Sequence, residues 1–307
     1  MDIALIGIGK IAIDQHVPAI AASSDWSLAA TVSRSGRIDG VPAYSDLKQM
    51  LDENPNVRVV SLCMPPVPRF AYATAALNAG RHVMLEKPPG ATLAECHTLF
   101  AQANERRLSL FTTWHSREAD MVLAAKAWLS ERTLHKVHIT WKEDVRRWHP
   151  DQEWIWEPGG MGVFDPGINA LSILTEILPV PIHLKSAHLK YPENKQAPIA
   201  ALLEFNHPTC NQVTADFDWR QEGEQTWSID VETETGTMRL FEGGAKLEID
   251  GTAVEITSTL SGEYPRLYEK MTELVTAGKS DVDLAPLRHV ADAFMLGRRA
   301  TVAEFIT

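Results

Sequence analysis

The sequence predicts an α/β Rossmann domain followed by an α+β domain that contains a large, mostly antiparallel open sheet. Short apolar runs alternate with amphipathic stretches over residues 1–115, and a glycine motif follows the first run. Residues 182–256 instead hold at least six strand-like segments joined by short turns of Gly, Asn or Asp. A chain of 307 residues is long enough for two cores. We therefore predict a first domain at 1–117 and a second at 118–307, whose last helix is free to pack back on the first domain.

The first domain follows the βαβ pattern. Its strand-like runs are almost wholly apolar, which is typical of a parallel sheet covered by helices on both faces. We predict strands near 3–6, 27–32, 57–63, 82–85 and 108–112, and helices near 10–23, 45–54, 68–80 and 92–106.

The second domain begins with an amphipathic stretch at 118–130, and an aromatic loop, 148–160, follows its first strand. Its later strands come in close succession without intervening helices, which predicts antiparallel pairing. We predict strands at 135–144, 198–205, 212–219, 226–233 and 237–242, and helices in the apolar stretch that ends at 178, at 262–277 and at 284–298.

Composition and charge argue against several classes of function. A formal net charge of −11 gives a surface that repels phosphate backbones and anionic lipids, and no run of Lys or Arg creates a local exception. The three cysteines are scattered without metal-ligand spacing, so we predict no metal site and a reducing compartment. No window reaches the ~18 apolar residues of a membrane span, and no leader pattern precedes the first strand. We expect a cytoplasmic protein that binds neither nucleic acid nor membranes.

A dinucleotide-binding motif, Gly7-x-Gly9-x-x-Ala12, lies between the first predicted strand and the first predicted helix. Gly7 permits the tight turn, Gly9 lets a pyrophosphate approach the backbone, and the small Ala12 permits close packing of a helix whose N-terminus faces the phosphates. We predict that this turn, with Lys10 and Ile11 inside it, binds NAD(P).

The end of the second predicted strand bears on which dinucleotide binds. An acidic residue there would accept hydrogen bonds from the ribose hydroxyls and repel a 2′-phosphate. The sequence instead has Ser33 and Arg34, a hydroxyl and a guanidinium that suit phosphate oxygens. We therefore expect NADP to be preferred, with NAD as an alternative cofactor.

A lysine follows the predicted strand at 82–85, in the sequence Glu86-Lys87-Pro88. The carboxyl ends of parallel strands are where ligands bind in open α/β sheets. We assign Glu86 and Lys87 to the cofactor site, together with Cys63 and Pro65 at the end of the preceding strand. Lys87 is also assigned to catalysis and to substrate binding.

Together these motifs resemble the GFO/IDH/MocA oxidoreductase family, whose signatures are the N-terminal glycine motif, an E-K-P lysine near the nicotinamide, and a D-x-G-x-H helix in the second domain. The third signature reads DPGIN at 165–169 here, with Asn169 at the histidine position. An amide takes up no proton at neutral pH, so Asn169 can orient a hydroxyl but cannot be the general base.

We therefore assign the base role to Asp165, with Lys87 as proton relay or electrostatic partner. Which of the two takes the proton directly stays open. Asp165 and Asn169 are four residues apart, so on a helix they share one face. An Asp before Pro at a helix start can also be a simple N-cap, which is the structural alternative.

A narrower resemblance is to the bacterial L-arabinose and D-galactose 1-dehydrogenases of this family, and it is carried by VMLEKPPGAT, TWHS, WKEDVRRWHP and WIWEPGGMGVFDPGINALSI. It implies oxidation of a pyranose at its anomeric carbon to the aldonolactone. The sugar contacts that it implies are Lys87, Asp165 and Asn169, extended to His115, Glu143 and His149. Because indoles stack on the apolar face of sugars, Trp227 is a further candidate, whereas we expect Trp219 to be core.

Alternatives to this function stay open. They are another polyol or inositol dehydrogenase of the same fold, which Asn169 disfavours, a glycosidase that recycles bound NAD, and a non-catalytic sugar or nucleotide sensor. Residue spacing does not separate L-arabinose from D-galactose, because the two sugars differ only in the C5 hydroxymethyl group. We also expect a homodimer through the open sheet face, because such a face usually needs covering.

Overall fold

The computed structural model describes residues 1–255 and 262–306. These residues form two compact units, one of residues 1–115 with 262–284 and one of residues 116–255 with 285–306. Position 256, the end of the region in which we predicted strands, lies outside the described residues.

The first unit contains a six-stranded parallel sheet in the order β3-β2-β1-β4-β5-β6, as the βαβ pattern predicts. A helical turn of π geometry, Ala12–His16, precedes its first α-helix. The elements up to residue 115 are β1 Asp2–Ile6, α1 Val17–Ala22, β2 Ser27–Val32, β3 Ala43–Tyr44, α2 Leu47–Glu53, β4 Val59–Leu62, α3 Pro66–Asn78, β5 His82–Glu86, α4 Leu93–Arg106 and β6 Leu110–Thr113.

The second unit contains a nine-stranded sheet in the order β14-β13-β12-β11-β7-β10-β9-β8-β15. Among the described strands, the neighbours β7/β10 and β8/β15 are parallel and the other neighbours are antiparallel, so the expected mostly antiparallel sheet is confirmed. Its elements up to residue 255 are α5 Val122–Leu129, β7 Leu134–Lys142, α6 Val145–Trp148, α7 Phe164–Ile177, β8 His183–Pro192, β9 Ala200–Asn206, β10 Val213–Asp218, β11 Thr226–Thr233, β12 Gly236–Phe241, β13 Lys246–Ile249 and β14 Thr252–Ala253. Helix α8, Glu263–Ala277, comes next in the chain but belongs to the first unit. The second unit then ends with α9 Ala285–Leu296 and β15 Arg298–Val302.

The division of the chain differs from the prediction in one helix. We placed all residues after 117 in the second domain and allowed the last helix to return to the first. The last helix, α9, instead belongs to the second unit, and α8 belongs to the first. The buried side of α8, including Leu267 and Met271, packs with Ile3, Leu5 and Phe111 of the parallel sheet. The amphipathic pattern identifies which residues of α8 are buried but not which sheet they meet.

The open face of the second sheet is polar. Helices α5, α7 and α9 contact the strands from one side, where residues such as Val137 and Ile139 are buried. The alternate residues form cross-strand pairs, among them Lys142 with Asp216 and Lys136 with Glu232. Such a face is stable in water and needs no partner to cover it. The argument from which we expected a homodimer is therefore weaker. The homodimer stays a prediction.

None of the helices in the described ranges has the length and apolar character needed to cross a membrane.

Candidate active site

The glycine turn has the geometry that a dinucleotide needs. Gly7 has a φ of +88°, in the left-handed region, and a Cβ there would lie 2.7 Å from the backbone nitrogen of Met64. At Gly9, in contrast, no atom lies within 4 Å of the place that a Cβ would take. Ala12 is fully buried, so the chain enters the following helix in close contact with the sheet. The turn therefore fits a diphosphate approaching its backbone.

The loop after β2 is tied back to this turn. Ser33 Oγ accepts the Gly36 N–H at 3.2 Å, and Arg37 Nη1 donates to the carbonyl oxygens of Ser33 and Gly36 at 3.4 and 2.9 Å. Any side chain at Gly36 would collide with the carbonyl oxygen of Ile8 in the glycine turn. Arg34 is exposed at the tip of the loop. Arg37 was not singled out from the sequence, and it places a second guanidinium beside the predicted 2′-phosphate clamp.

The remaining predicted cofactor residues lie at the same edge of the first unit. Lys10 is exposed and forms an ion pair with Asp14 one turn later, and Ile11 follows it in the turn. Cys63 and Pro65 follow β4, and the Cys63 thiol lies 3.7 Å from Ser61 Oγ. Their contact with a cofactor stays a prediction.

Glu86 ends β5, and its buried carboxylate accepts three hydrogen bonds. Oε1 is bonded to His16 Nε2 and to the Tyr264 hydroxyl, each at 2.9 Å, and Oε2 accepts the Lys87 N–H at 3.1 Å. His16 Nδ1 in turn lies 2.8 Å from the Tyr268 hydroxyl. The Glu86 carboxylate therefore faces the interior of the first unit, and only its backbone is left to contribute to the predicted cofactor site.

The buried His16 and Glu86 side chains lie in ion-pair geometry, with His16 Nε2 2.9 Å from Glu86 Oε1. Burial alone would raise the pKa of Glu86, but the hydrogen bond and charge of His16, with smaller contributions from His115 and Tyr264, lower it from 4.5 to about 2. Burial likewise opposes a charge on His16, but Cys63, Tyr268 and Glu86 raise its pKa well above 6.5. No sequence motif marks this pair, because its members are 70 residues apart.

His115 lies at the end of the first unit. Its Nδ1 is 2.6 Å from Glu263 Oε2, and its ring stacks on Tyr264 with centroids 5.7 Å apart. Burial opposes the charged imidazolium, but the nearby Glu263 carboxylate raises the pKa of His115. One ring nitrogen is thus engaged by a residue that sequence reasoning missed, and a sugar contact of His115 stays a prediction.

Asp165 lies in the first turn of α7. The N-cap residue of this helix is Val163, so the N-cap alternative for Asp165 is wrong. The Asp165 side chain is only 5% exposed, and its Oδ2 lies 3.3 Å from His149 Nε2. Asn169 follows one turn later on the same face and is partly buried. Gly167 between them lies against Phe217, whose ring would be 2.7 Å from an added Cβ, which explains the glycine of the signature.

Glu143 follows β7 and joins two indoles. Its Oε1 accepts the Trp219 Nε1–H at 3.1 Å and its Oε2 accepts the Trp227 Nε1–H at 3.0 Å. Trp219 is fully buried, as expected, and Trp227 meets the ring of Trp148 edge to face with centroids 5.7 Å apart. The carboxylate therefore fixes the orientation of both rings.

Four of the predicted sugar residues of the second unit form one continuous cluster, in which the Asn169 side chain has no contact. The His149 ring lies 5.2 Å from the Trp219 ring, so contacts run from Asp165 through His149 and Trp219 to Glu143 and Trp227. A buried carboxylate beside an imidazole can accept and pass on a proton, and indoles can stack on the C–H face of a sugar. The structure thus brings together Asp165, His149, Glu143 and Trp227, four of the predicted sugar contacts, around the buried ring of Trp219.

No group of three His, Cys, Asp or Glu side chains within residues 1–255 and 262–306 is placed to hold a metal ion.

Comparisons with known proteins show which proteins this chain is similar to. Residues 1–113 match the model of the GFO_IDH_MocA family, an oxidoreductase family with an NAD-binding Rossmann fold. The chain is 43% identical to galactose 1-dehydrogenase of Pseudomonas fluorescens over 98% of this chain and 97% of that protein. A crystal structure of D-galactose-1-dehydrogenase from Rhizobium etli is 55% identical, has a TM-score of 0.95, and covers 99% of this chain and 97% of its own. A 3-ketoreductase from Actinomadura kijaniata, in complex with TDP-benzene and NADP, shares the fold alone, with a TM-score of 0.83 at 19% identity over 98% of this chain and 99% of its own.

Proposed function

Because the chain belongs to the GFO/IDH/MocA oxidoreductase family, we propose that it oxidises D-galactose or L-arabinose at the anomeric carbon to the aldonolactone, with NAD(P) as the oxidant. The observation that carries this proposal is the cluster of Glu143, His149, Asp165 and Trp227 in the second unit. Carboxylates and an imidazole bind sugar hydroxyls, and an indole offers an apolar face. Two full-length relatives at 43% and 55% identity, both galactose 1-dehydrogenases, support the same substrate class.

Asp165 acts as the general base in the proposed reaction. One of its carboxylate oxygens accepts the proton of the C1 hydroxyl. NAD(P), held by the glycine turn at Gly7 and Gly9, would supply the two-electron oxidant that takes the hydride of C1. His149 Nε2, 3.3 Å from Asp165 Oδ2, stabilises the carboxylate and offers the proton a route away from it. The charge that Lys87 supplies to a developing alkoxide is inferred from its motif.

Asn169 orients the substrate in this scheme. Its amide can donate to one sugar oxygen and accept from another hydroxyl, and it shares a helix face with Asp165. The Ser172 hydroxyl donates to the backbone carbonyl oxygen of Asn169 at 2.7 Å, a hydrogen bond that does not involve the side-chain amide.

NADP is the cofactor that the loop after β2 favours. Its Ser33 hydroxyl and the exposed Arg34 suit a 2′-phosphate, and the position directly after β2 holds Ser33 instead of a carboxylate that would repel it. We also keep the cytoplasm as the proposed location, because the three cysteines are free thiols.

The test is the appearance of reduced nicotinamide when the purified protein meets NADP or NAD and a panel of D-galactose, L-arabinose, D-xylose, D-glucose and myo-inositol. We expect turnover with galactose and arabinose, and a higher kcat/KM with NADP than with NAD. The variant Arg34→Ala should remove the preference for NADP and leave the KM for NAD unchanged. Turnover of myo-inositol alone, or silence across the panel, would contradict the proposal.

A further inference from the structure

Arg69 is a buried guanidinium that the proposed reaction does not use. It lies in the first turn of α3 and is 2% exposed. Its Nη1 donates to the carbonyl oxygens of Glu86 and Pro88, and its Nη2 donates to the carbonyl oxygen of Met64. The two carbonyls that Nη1 binds lie on either side of Lys87.

The hydrogen bonds of Arg69 leave the backbone around Lys87 little freedom. The Glu86 and Pro88 carbonyls are held by one planar group, and the Lys87 N–H is held by the Glu86 carboxylate at 3.1 Å. The polar backbone groups that flank the lysine are therefore fixed on both sides, and the Cα–Cβ direction of Lys87 is fixed with them.

The third carbonyl extends this connection to the phosphate-binding turn. Met64 is the residue whose backbone lies against Gly7, at 2.7 Å from the place of an added Cβ. Arg69 thus joins the backbone that packs on the glycine turn to the backbone that carries Lys87. Both segments, with Arg69, belong to the first unit.

Stability alone does not account for an arginine at this position. Removing a guanidinium from water costs several kcal/mol, which hydrogen bonds only partly offset, and an apolar residue of similar volume is often as stable. A planar fork with several donors can hold three carbonyls at once, whereas the compact ammonium of a lysine cannot reproduce that geometry. The residue type is therefore suited to fixing three backbone segments relative to one another.

We propose that Arg69 is a positioning residue that holds Lys87 at a fixed place relative to the phosphate-binding turn, and so relative to the reacting end of a bound dinucleotide. The inference rests on the proposed function for its kinetic consequence, because misplacement of a reacting group by about 1 Å can reduce turnover about 100-fold. Binding of the diphosphate itself depends on Gly7 and Gly9, not on Arg69.

The experiment compares Arg69→Met and Arg69→Lys with Arg81→Met as the matched control. Arg81 donates to the Pro55 carbonyl at 3.0 Å in the same unit but holds no group near Lys87. We expect kcat to fall about 10-fold to 100-fold in Arg69→Met while the KM for NADP changes less than about threefold. Arg69→Lys should lie between Arg69→Met and wild type, and Arg81→Met should match wild type.

Hydrogen exchange of the peptide spanning 82–90 provides a readout that needs no substrate. The Lys87 amide should exchange at least about tenfold faster in Arg69→Met than in wild type or in Arg81→Met, because its local opening becomes easier. Unchanged exchange in Arg69→Met would overturn the proposal, and so would faster exchange with an unchanged kcat. If the wild type oxidises no sugar, the proposed function fails and the exchange result alone decides the role of Arg69. If Arg69→Met does not fold, Arg69→Lys carries both measurements.

Discussion

Replacing Gly9 with alanine separates cofactor binding from folding. No atom lies within 4 Å of the added Cβ, and the Gly9 backbone is outside the left-handed region, so the variant should fold as well as wild type. A diphosphate must come within about 2.9 Å of the backbone amides, whereas a methyl carbon keeps its neighbours at about 3.5 to 4.0 Å. Loss of one or two charge-assisted hydrogen bonds, about 2 to 4 kcal/mol in total, predicts a Kd for NADPH about 30-fold to 700-fold higher.

The matched control for this variant is Gly7→Ala. Its Cβ would meet the Met64 backbone at 2.7 Å with φ at +88°, so it should lose about 1 to 3 kcal/mol of folding free energy. The assays are NADPH fluorescence titration for the Kd and thermal unfolding without cofactor for stability. Gly9→Ala should change the Kd and not the Tm, whereas Gly7→Ala should lower the Tm. A Gly9→Ala protein that binds NADPH within about twofold of wild type would refute the assignment of this turn as the diphosphate site.

Three further predictions concern the buried polar groups. Asp165→Asn should lower kcat about 100-fold to 10,000-fold with the Kd for NADPH nearly intact, and steady-state kinetics showing a loss under about tenfold would contradict its role as base. In Glu143→Gln the amide oxygen can accept from only one of the two indole N–H groups. Urea unfolding should therefore show a free energy of unfolding lower by about 1 to 3 kcal/mol, and the KM for galactose should rise. A free energy of unfolding equal to that of wild type would show that the second indole finds another acceptor. The stability that the His16–Glu86 pair contributes should be greatest between pH 4.5 and 6.5. It should be lost as pH falls from 4.5 toward about 2, through the lowered pKa of Glu86, and as pH rises through the raised pKa of His16. Urea unfolding of wild type against His16→Gln/Glu86→Gln across pH measures this, and a constant difference would refute the ion pair.

Local sequence pattern was sufficient for most of the fold. Strand β11 occupies the predicted residues 226–233, because the apolar residues Trp227, Ile229 and Val231 alternate with polar residues along it. Apolar runs at βαβ spacing predicted the parallel sheet, and strand-like segments joined by short turns predicted the open antiparallel sheet. The pattern did not specify which of the two sheets α8 packs on, because an apolar helix face can pack on any apolar sheet surface.

Residues of the candidate site could be predicted from the sequence where a motif marks them, and not where residues distant in the sequence meet. Asp165, Asn169 and Lys87 lie in recognisable signatures, and Gly7 and Gly9 follow a strand in the expected place. No such signature contains His16, Tyr264 or Arg69. The role of a buried polar residue depends on its hydrogen-bond partner, and these partners are distant in the sequence. Hydrogen bonds from His16 and Tyr264 to Glu86 span 70 and 178 residues, a separation over which the sequence offers no periodicity to read.

The pairing of His149 with Asp165 explains how the chain manages with an amide at the signature's histidine position. The helix signature places an imidazole one turn after the aspartate, where this chain has Asn169, but the aromatic loop before α7 brings His149 Nε2 to 3.3 Å from Asp165 Oδ2. In the proposed mechanism the loop, instead of the helix, therefore supplies the imidazole beside Asp165, and Asn169 has the role of orienting the sugar. Substitution of His149 by Asn should then lower kcat about 100-fold, and the double variant His149→Asn/Asn169→His should recover about tenfold of it by restoring an imidazole on the face of α7 that carries Asp165. Steady-state kinetics of the two variants over pH decide the point. A double variant no faster than His149→Asn would mean that Asp165 needs the imidazole at the loop position alone, and that the two positions are not equivalent.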